Sequence, residues 1–204
     1  MEAGKRVKVF CGSMCDIFDP EGPRAERDRL LELIEGTANL FWLLLTKRPE
    51  NIGDMMPPLG FTPNVGLGVT VETQEQTWRI GEMLRHKAAL YFVSIEPALG
   101  ALDLVRSNPI PGYGYGFTNP LQGAHQIITK TVRRGPTIDW VICGAETGPG
   151  ARPMNPHWAR RLRDQCIAAG VPFFLKNCDN IKRPGSRLLD GREWNEFPSC
   201  IDRI

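Results

Sequence analysis

Three stretches of this chain run an apolar segment into a small residue, a spacer and a glutamate: Leu67-Gly-Val-Thr-Val-Glu72, Phe92-Val-Ser-Ile-Glu96 and Val141-Ile-Cys-Gly-Ala-Glu146. A buried strand ends in a carboxylate at little cost only where that end opens onto water, a ligand or a partner charge. Three such endings separated by helix-length connections predict parallel strands delivering carboxylates to one rim. In barrels and open α/β sheets that rim, at the carboxyl ends of the strands, is where ligands bind. Glu72, Glu96 and Glu146 are therefore the candidate acid–base groups, with Lys47 and Lys176 as their cationic counterparts.

Other polar residues share these positions. Asp16 and Ser13 follow the first apolar segment, and Thr46, Lys47 and Arg48 follow the second. Thr70 precedes Glu72, Ser94 precedes Glu96, and Gly144, Thr147 and Arg152 surround Glu146. Ser13, Asp16, Thr46, Arg48, Thr70, Ser94, Gly144, Thr147 and Arg152 are the candidate cofactor-binding residues. Cations and anions alternating around one rim perturb each other's protonation, as acid–base sites require. The competing reading is a structural network in which the lysines only neutralise the glutamates.

Gly144-Ala-Glu-Thr-Gly-Pro-Gly150 is a glycine-rich turn ahead of a capped helix. It offers backbone N–H groups to a phosphate or carboxylate, or serves as a tight structural turn. It has the spacing of neither a P-loop nor a dinucleotide fingerprint. Arg152 suits bidentate contact with a carboxylate or phosphate. Metal ligation has little support. Cys11-Gly-Ser-Met-Cys15 is a lone pair of thiols, whereas zinc and iron–sulfur sites take three or four ligands. His86, His125 and His157 show no ligand spacing, so no metal site is assigned.

The positioning elements follow from periodicity. Val7–Ser13, Phe41–Thr46, Val65–Val71, Leu90–Ile95, Asp139–Gly144 and Pro172–Lys176 read as strands, several of them apolar at consecutive positions, as strands covered on both faces are. Helical patterns lie between them at 23–35, at 49–56 with Pro49 leading, after the capping-box sequence Thr73-Gln-Glu-Gln76, and from Asn155-Pro156 to Gly170. The β-α-β-α order implies right-handed parallel crossovers. Residues 105–137 break the rhythm with Pro, Gly and two tyrosines, Tyr113 and Tyr115, and read as an irregular insertion. Asp190-Gly191 between apolar residues signals a hairpin over 186–198.

Size and charge bound the rest. The 204 residues, 42% hydrophobic, suffice for one full core, so the chain reads as one domain spanning 1–204. From Arg152 to Arg192 nine Lys or Arg face three Asp. Aromatic residues do not interleave with that basic run in a nucleic-acid-binding pattern, and a solvated basic face is the simpler reading. No apolar run approaches the ~20 residues of a membrane span, and the first residues lack a signal peptide's apolar block. The expectation is a cytoplasmic protein with reduced cysteines.

Longer motifs carry a resemblance. Val9-Phe-Cys-Gly-Ser-Met-Cys-Asp-Ile-Phe-Asp-Pro20, Trp42-Leu-Leu-Leu-Thr-Lys-Arg-Pro-Glu-Asn51, Ser94-Ile-Glu-Pro-Ala-Leu-Gly100, the run from Asp139 to Met154, Gly170–Lys176 and Leu189–Trp194 together resemble the phage and prophage family named for gene products thirty-seven and sixty-eight, a domain of unknown function. The resemblance implies a partial β/α barrel distantly similar to radical S-adenosylmethionine enzymes, with S-adenosylmethionine as cofactor and an iron–sulfur cluster held by an N-terminal cysteine segment. No such segment stands ahead of Val9 in this sequence, and Cys11 and Cys15 do not replace it.

The expectation is thus an α/β fold: a partial, open parallel barrel of about six strands with outer helices and a short C-terminal hairpin. Two functions are carried forward. One is the cluster-lacking portion, or a degenerate member, of an enzyme family modifying a nucleic-acid, nucleotide or protein target. The other is a non-catalytic binding or regulatory protein using the same barrel mouth. The partners in view are a nucleic acid or a second polypeptide supplying the cysteine cluster.

Overall fold

Apolar runs and caps in the sequence become, in chain order, β1 (Val7–Cys11), α1 (Arg24–Glu35), β2 (Leu40–Thr46), a 3-10 turn (Pro49–Asn51) leading into α2 (Ile52–Met55), β3 (Val65–Thr70), a second 3-10 turn (Gln74–Thr77) leading into α3 (Trp78–Met83), and β4 (Leu90–Ile95). Then come β5 (Gly116–Asn119), β6 (Ala124–Gln126), β7 (Val132–Arg134), β8 (Trp140–Gly144), α4 (Pro156–Ala169), β9 (Phe173–Asn177), β10 (Leu188–Leu189), β11 (Arg192–Glu193) and a final 3-10 turn (Ser199–Asp202). The computed structural model describes residues 6–12, 15–56, 60–106, 108, 111, 116–126, 132–178 and 187–202.

Six strands form one parallel sheet in the order β1-β2-β3-β4-β8-β9, each beside its predecessor along the main β/α path. That order, with helices covering one face, is a curled half-barrel. The open parallel barrel with a short C-terminal hairpin expected from the sequence is the fold observed, and β10 and β11 are the two antiparallel strands of the hairpin. Asp190 and Gly191 turn it with φ of 55° and 78°, the left-handed conformations a two-residue hairpin loop of this kind demands.

Local signals place the helices. The capping box at Thr73 is present, the Thr73 side chain accepting from the third residue's backbone and Gln76 reaching back. Asn155 caps α4 by accepting from His157 N–H at 2.9 Å, and Gly170 ends it in the left-handed conformation at φ 70°. Within 105–137 the described residues include regular strands. They carry a three-stranded antiparallel sheet, β5-β6-β7, where the β4–β8 crossover would otherwise hold a helix. Short strands among prolines and glycines have too few residues for a visible period.

The two faces of the sheet hold separate cores. Outward residues such as Leu44, Val69, Val93, Val141, Phe173 and Leu175 pack against the helices. The alternate positions point into the concave face, where Phe41, Leu43, Leu45, Leu90, Phe92, Trp140, Ile142 and Ile201 cluster. Gly68 on β3 leaves room for Phe92: a β-carbon there would meet the Phe92 ring at 2.2–2.5 Å. The C-terminal segment closes the base, with Ile201 fully buried and Trp140 Nε1 donating to Glu196 O at 3.0 Å. It also covers the outer edge of β9, since Leu175 N–H donates to Trp194 O and Phe174 bridges Asn195. Among the described residues no helix is long and apolar enough to cross a membrane.

Candidate functional site

Side chains alternate along a strand, so one parity of every strand faces the concave side. Followed toward the carboxyl ends, that parity changes from apolar to polar on nearly every strand. On β3 it reaches Thr70 and then Glu72. On β4 it reaches Ser94 and Glu96, on β8 Gly144 and Glu146, on β9 Lys176, and past β2 it reaches Lys47. Apolar burial below and ionic groups above make a cup with a greasy base and a charged mouth.

The mouth is a cavity of about 750 Å³ lined by Phe10, Gly12, Cys15, Asp16, Leu45, Thr46, Lys47, Thr70, Ser94, Glu96, Pro97, Ala145, Glu146, Thr147 and Lys176. That size suits a small organic ligand or nucleoside. Of the residues singled out in the sequence, Asp16, Thr46, Lys47, Thr70, Ser94, Glu96, Glu146, Thr147 and Lys176 meet on this one wall. Glu72 sits one ion pair behind it. Ser13 lies outside the described residues, as do Tyr113 and Tyr115.

Three ion pairs organise the mouth. Lys176 Nζ reaches Glu96 Oε1 at 2.6 Å, and Lys47 Nζ reaches Glu72 Oε1 at 2.7 Å. Both lysines stay more than half exposed, at 57% and 56%, so their heads remain available to a ligand. Arg152 holds Glu146 through Nε at 2.7 Å and Nη2 at 3.0 Å, and its backbone N–H adds a third bond at 2.9 Å. The Arg152 side chain, and then its backbone N–H, keep the Glu146 carboxyl down at about 2. Glu146 is thus a fixed anion rather than a proton donor near neutral pH.

Gly144 explains how Glu96 and Lys176 meet at all, since β8 lies between their strands. A β-carbon at Gly144 would sit 3.4 Å from both Glu96 Cδ and Lys176 Cβ, and 2.8 Å from Asn177 Oδ1. The absent side chain is the gap through which the pair closes. Asn177, itself buried, locks this corner by accepting from Ala145 N–H at 2.9 Å.

Asp16 is the organiser on the opposite side. It accepts from Thr46 Oγ1 at 2.7 Å, Lys47 N–H at 2.8 Å and Phe18 N–H at 3.0 Å, so three donors fix its carboxylate. Thr46 passes the order on by accepting from Arg48 N–H at 2.9 Å. The Arg48 side chain turns to Asp19 at 3.2 Å, away from the cavity wall. Gly12, at φ 92°, lets β1 leave the sheet here, because a β-carbon would strike Leu45 O at 2.5 Å.

Three contributors escaped the sequence. Arg79 donates to Glu72 Oε2 at 3.1 Å and to Thr70 O at 2.8 Å, so Glu72 is shared between two cations. A lone arginine beside Trp78 and Ile80 on a short helix was its only signal. Phe10 and Leu45 supply apolar wall; they read only as residues of apolar strands, and the curl that turns them inward was not legible.

Three of the cysteines, Cys11, Cys143 and Cys166, are poor thiolates. Burial pushes the Cys166 thiol up to about 12 and raises Cys143 as well. Cys11 is raised by burial first and then by its neighbour Cys15. Among the described residues no three His, Cys, Asp or Glu side chains come together as metal ligands. No curated protein and no solved structure matches the chain. The sequence model of the family described as a protein of unknown function (DUF5131) matches residues 1–198, nearly the whole length, and the chain belongs to that family.

Proposed function

We propose that the half-barrel mouth binds a small zwitterionic nucleoside of the S-adenosylmethionine class. On this reading the chain is a cytoplasmic, phage-type barrel protein of the radical S-adenosylmethionine lineage, acting on a nucleic-acid, nucleotide or protein target. One observation carries the reading. Glu96 and Lys176 present an anion and a half-exposed cation side by side on the wall of a cavity of about 750 Å³. An α-amino-acid group carries the complementary cation and anion on adjacent atoms. It inserts with its ammonium toward Glu96 and its carboxylate toward Lys176. Lys47 and the hydroxyls of Thr70 and Ser94 would take ribose or a second anionic group, and Phe10 and Leu45 give the base an apolar wall.

When bound, S-adenosylmethionine supplies an activated sulfonium from which a carbon group can be transferred. The described residues do not fit an iron–sulfur cluster: two thiols, Cys11 and Cys15, stand where three or four are needed. No step is routed through a cluster here. The chain's own groups orient the ligand and exclude water from the base of the cup.

A second reading, a non-catalytic binding or regulatory protein using the same mouth, is favoured by the pairing of all three rim glutamates. Glu72 is held by Lys47 and Arg79, Glu96 by Lys176 and Glu146 by Arg152. A general base needs a carboxylate that is open to its proton.

Calorimetric titration with S-adenosylhomocysteine, the stable product analogue, tests the binding. The wild type is expected to bind, and Glu96→Gln and Lys176→Met each to weaken it about tenfold or more, roughly 1.4 kcal/mol, with circular dichroism unchanged. No heat from the wild type, or equal affinity in both variants, rejects the reading. Mass spectrometry of S-adenosylmethionine left with protein and candidate targets separates an enzyme from a binder.

A further inference from the structure

Concave-facing side chains stack in rows from the base of the cup to its mouth. Leu45, Gly68 and Phe92 form one row, in register across β2, β3 and β4. Thr46 pairs with Val69 and Thr70 with Ser94, so Lys47, one residue past Thr46, comes level with Thr70 and Ser94 in the next row. Glu72 and Glu96 lie above that row. Beneath it is the apolar base, where Leu45 is 8% exposed and Phe92 fully buried.

Thr70 and Ser94 are 3% and 2% exposed, and both line the cavity. Among the described residues neither hydroxyl has a hydrogen-bond partner. Thr46, in the same wall, differs: its hydroxyl donates to Asp16 at 2.7 Å and accepts from Arg48 N–H at 2.9 Å. Burying a hydroxyl is costly unless something bonds it. Two of them side by side, facing a cavity, mark the place of a ligand's polar group.

Lys47 supplies the charge. Its Nζ rests on Glu72 Oε1 at 2.7 Å, but Arg79 holds the other oxygen of Glu72 at 3.1 Å. Arg79 is 15% exposed where Lys47 is 56% exposed, so Lys47 is the partner free to turn away. When it turns to an anion, Glu72 keeps a cation. Glu96 has no such reserve, since Lys176 is its one ion-pair partner among the described residues. The row thus offers one releasable positive charge and two neutral donors.

We propose that Lys47, Thr70 and Ser94 form a subsite for the terminal phosphate monoester of a nucleotide. Three donors from three adjacent strands match three terminal oxygens. A carboxylate has only two, and a ribose diol leaves Lys47 unused. The closed base beneath the row stops a chain from continuing past the phosphate, which excludes a mid-chain diester. The inference rests on the reading of the mouth as a nucleoside site and narrows its target class to phosphate-bearing molecules.

Calorimetry with adenosine 5′-monophosphate and with adenosine tests it, read as the ratio of the two affinities. The nucleotide is expected to bind about tenfold or more tighter than the nucleoside. Thr70→Val with Ser94→Ala, and separately Lys47→Met, should bring that ratio down to about one. Thr70→Ser keeps the hydroxyl and should retain it. Should the double variant fail to fold by circular dichroism, Ser94→Ala alone is expected to lower the ratio about threefold or more. A thymidine dinucleotide with and without a 5′-phosphate separates the sources: an equal gain there assigns a strand end, and a gain confined to the mononucleotide assigns a free nucleotide. S-adenosylhomocysteine titrated alongside keeps the two proposals apart. Its failure to bind with the ratio intact rejects the zwitterion site alone, and no preference for the nucleotide with S-adenosylhomocysteine bound rejects the phosphate subsite alone. An undiminished ratio in the variants lacking the hydroxyls would overturn the assignment as well.

Discussion

Replacing Gly144 with alanine adds one carbon at the point on which the mouth's geometry turns. That carbon would lie 2.8 Å from Asn177 Oδ1 and 3.4 Å from Glu96 Cδ and Lys176 Cβ. Unstrained heavy-atom contacts fall nearer ~3.5–4.0 Å, so Asn177 must move first. It has little room: it is 4% exposed, and its Oδ1 accepts from the buried Ala145 N–H at 2.9 Å. Losing a buried hydrogen bond costs about 1–3 kcal/mol, and overpacking costs a similar amount. Ala145 N–H keeps part of its satisfaction through Asn177 O at 3.2 Å, which holds the sum to about 2 kcal/mol. In a chain of this length that is a fall in Tm of about 4–8 °C. Urea unfolding followed by tryptophan fluorescence measures it. Asn177→Ala removes the obstructing oxygen, so Gly144→Ala should cost much less in that background, a coupling of about 1 kcal/mol. A change below about 0.5 kcal/mol for Gly144→Ala, or strict additivity in the double variant, would refute the steric account.

Further expectations concern the other two acids. Glu72→Gln leaves Arg79, which is 15% exposed, facing a neutral amide in place of the carboxylate, beside its bond to Thr70 O; a loss of about 1–2 kcal/mol is expected in urea unfolding, whereas Lys47→Met, at an exposed lysine, should cost under about 1 kcal/mol. Equal costs would show that Arg79 does not depend on the carboxylate. Glu146 titrates at about 2 in the folded chain against an ordinary 4.5, so the unfolded state binds more protons between those values. The contribution of its pair with Arg152 is therefore complete above the ordinary value and fades as pH falls through the folded one. Carboxyl-carbon NMR should find the Glu146 midpoint raised toward 4.5 in Arg152→Met but still below it, because the backbone N–H of residue 152 continues to donate, and an unmoved midpoint would contradict the assigned cause.

Much of the fold was legible because its strands are covered on both faces and so read as unbroken apolar runs. Leu90–Ile95 was read to the residue, and the other five boundaries lie within two residues of those observed. Helix ends were equally plain at Asn155 and Gly170, where a cap and a left-handed turn have specific chemistry. The strands inside 105–137 were not, because three or four residues cannot display a period of two.

The sequence by itself determined that Glu72, Glu96 and Glu146 end buried strands, and that Lys47, Thr70, Ser94 and Lys176 end the same or neighbouring ones. Only the tertiary structure decided who touches whom. Glu96 and Lys176 are 80 residues apart and meet across Gly144, Glu72 turns out to share Arg79, and Arg48 is drawn aside to Asp19. The same holds for the C-terminal segment: Lys8 and Phe197, at opposite ends of the chain, face each other at 4.8 Å. The physical reason is range. Periodicity and caps are properties of a few consecutive residues, whereas an ion pair or a ring contact depends on strand order, register and curl, which arise only when distant segments pack.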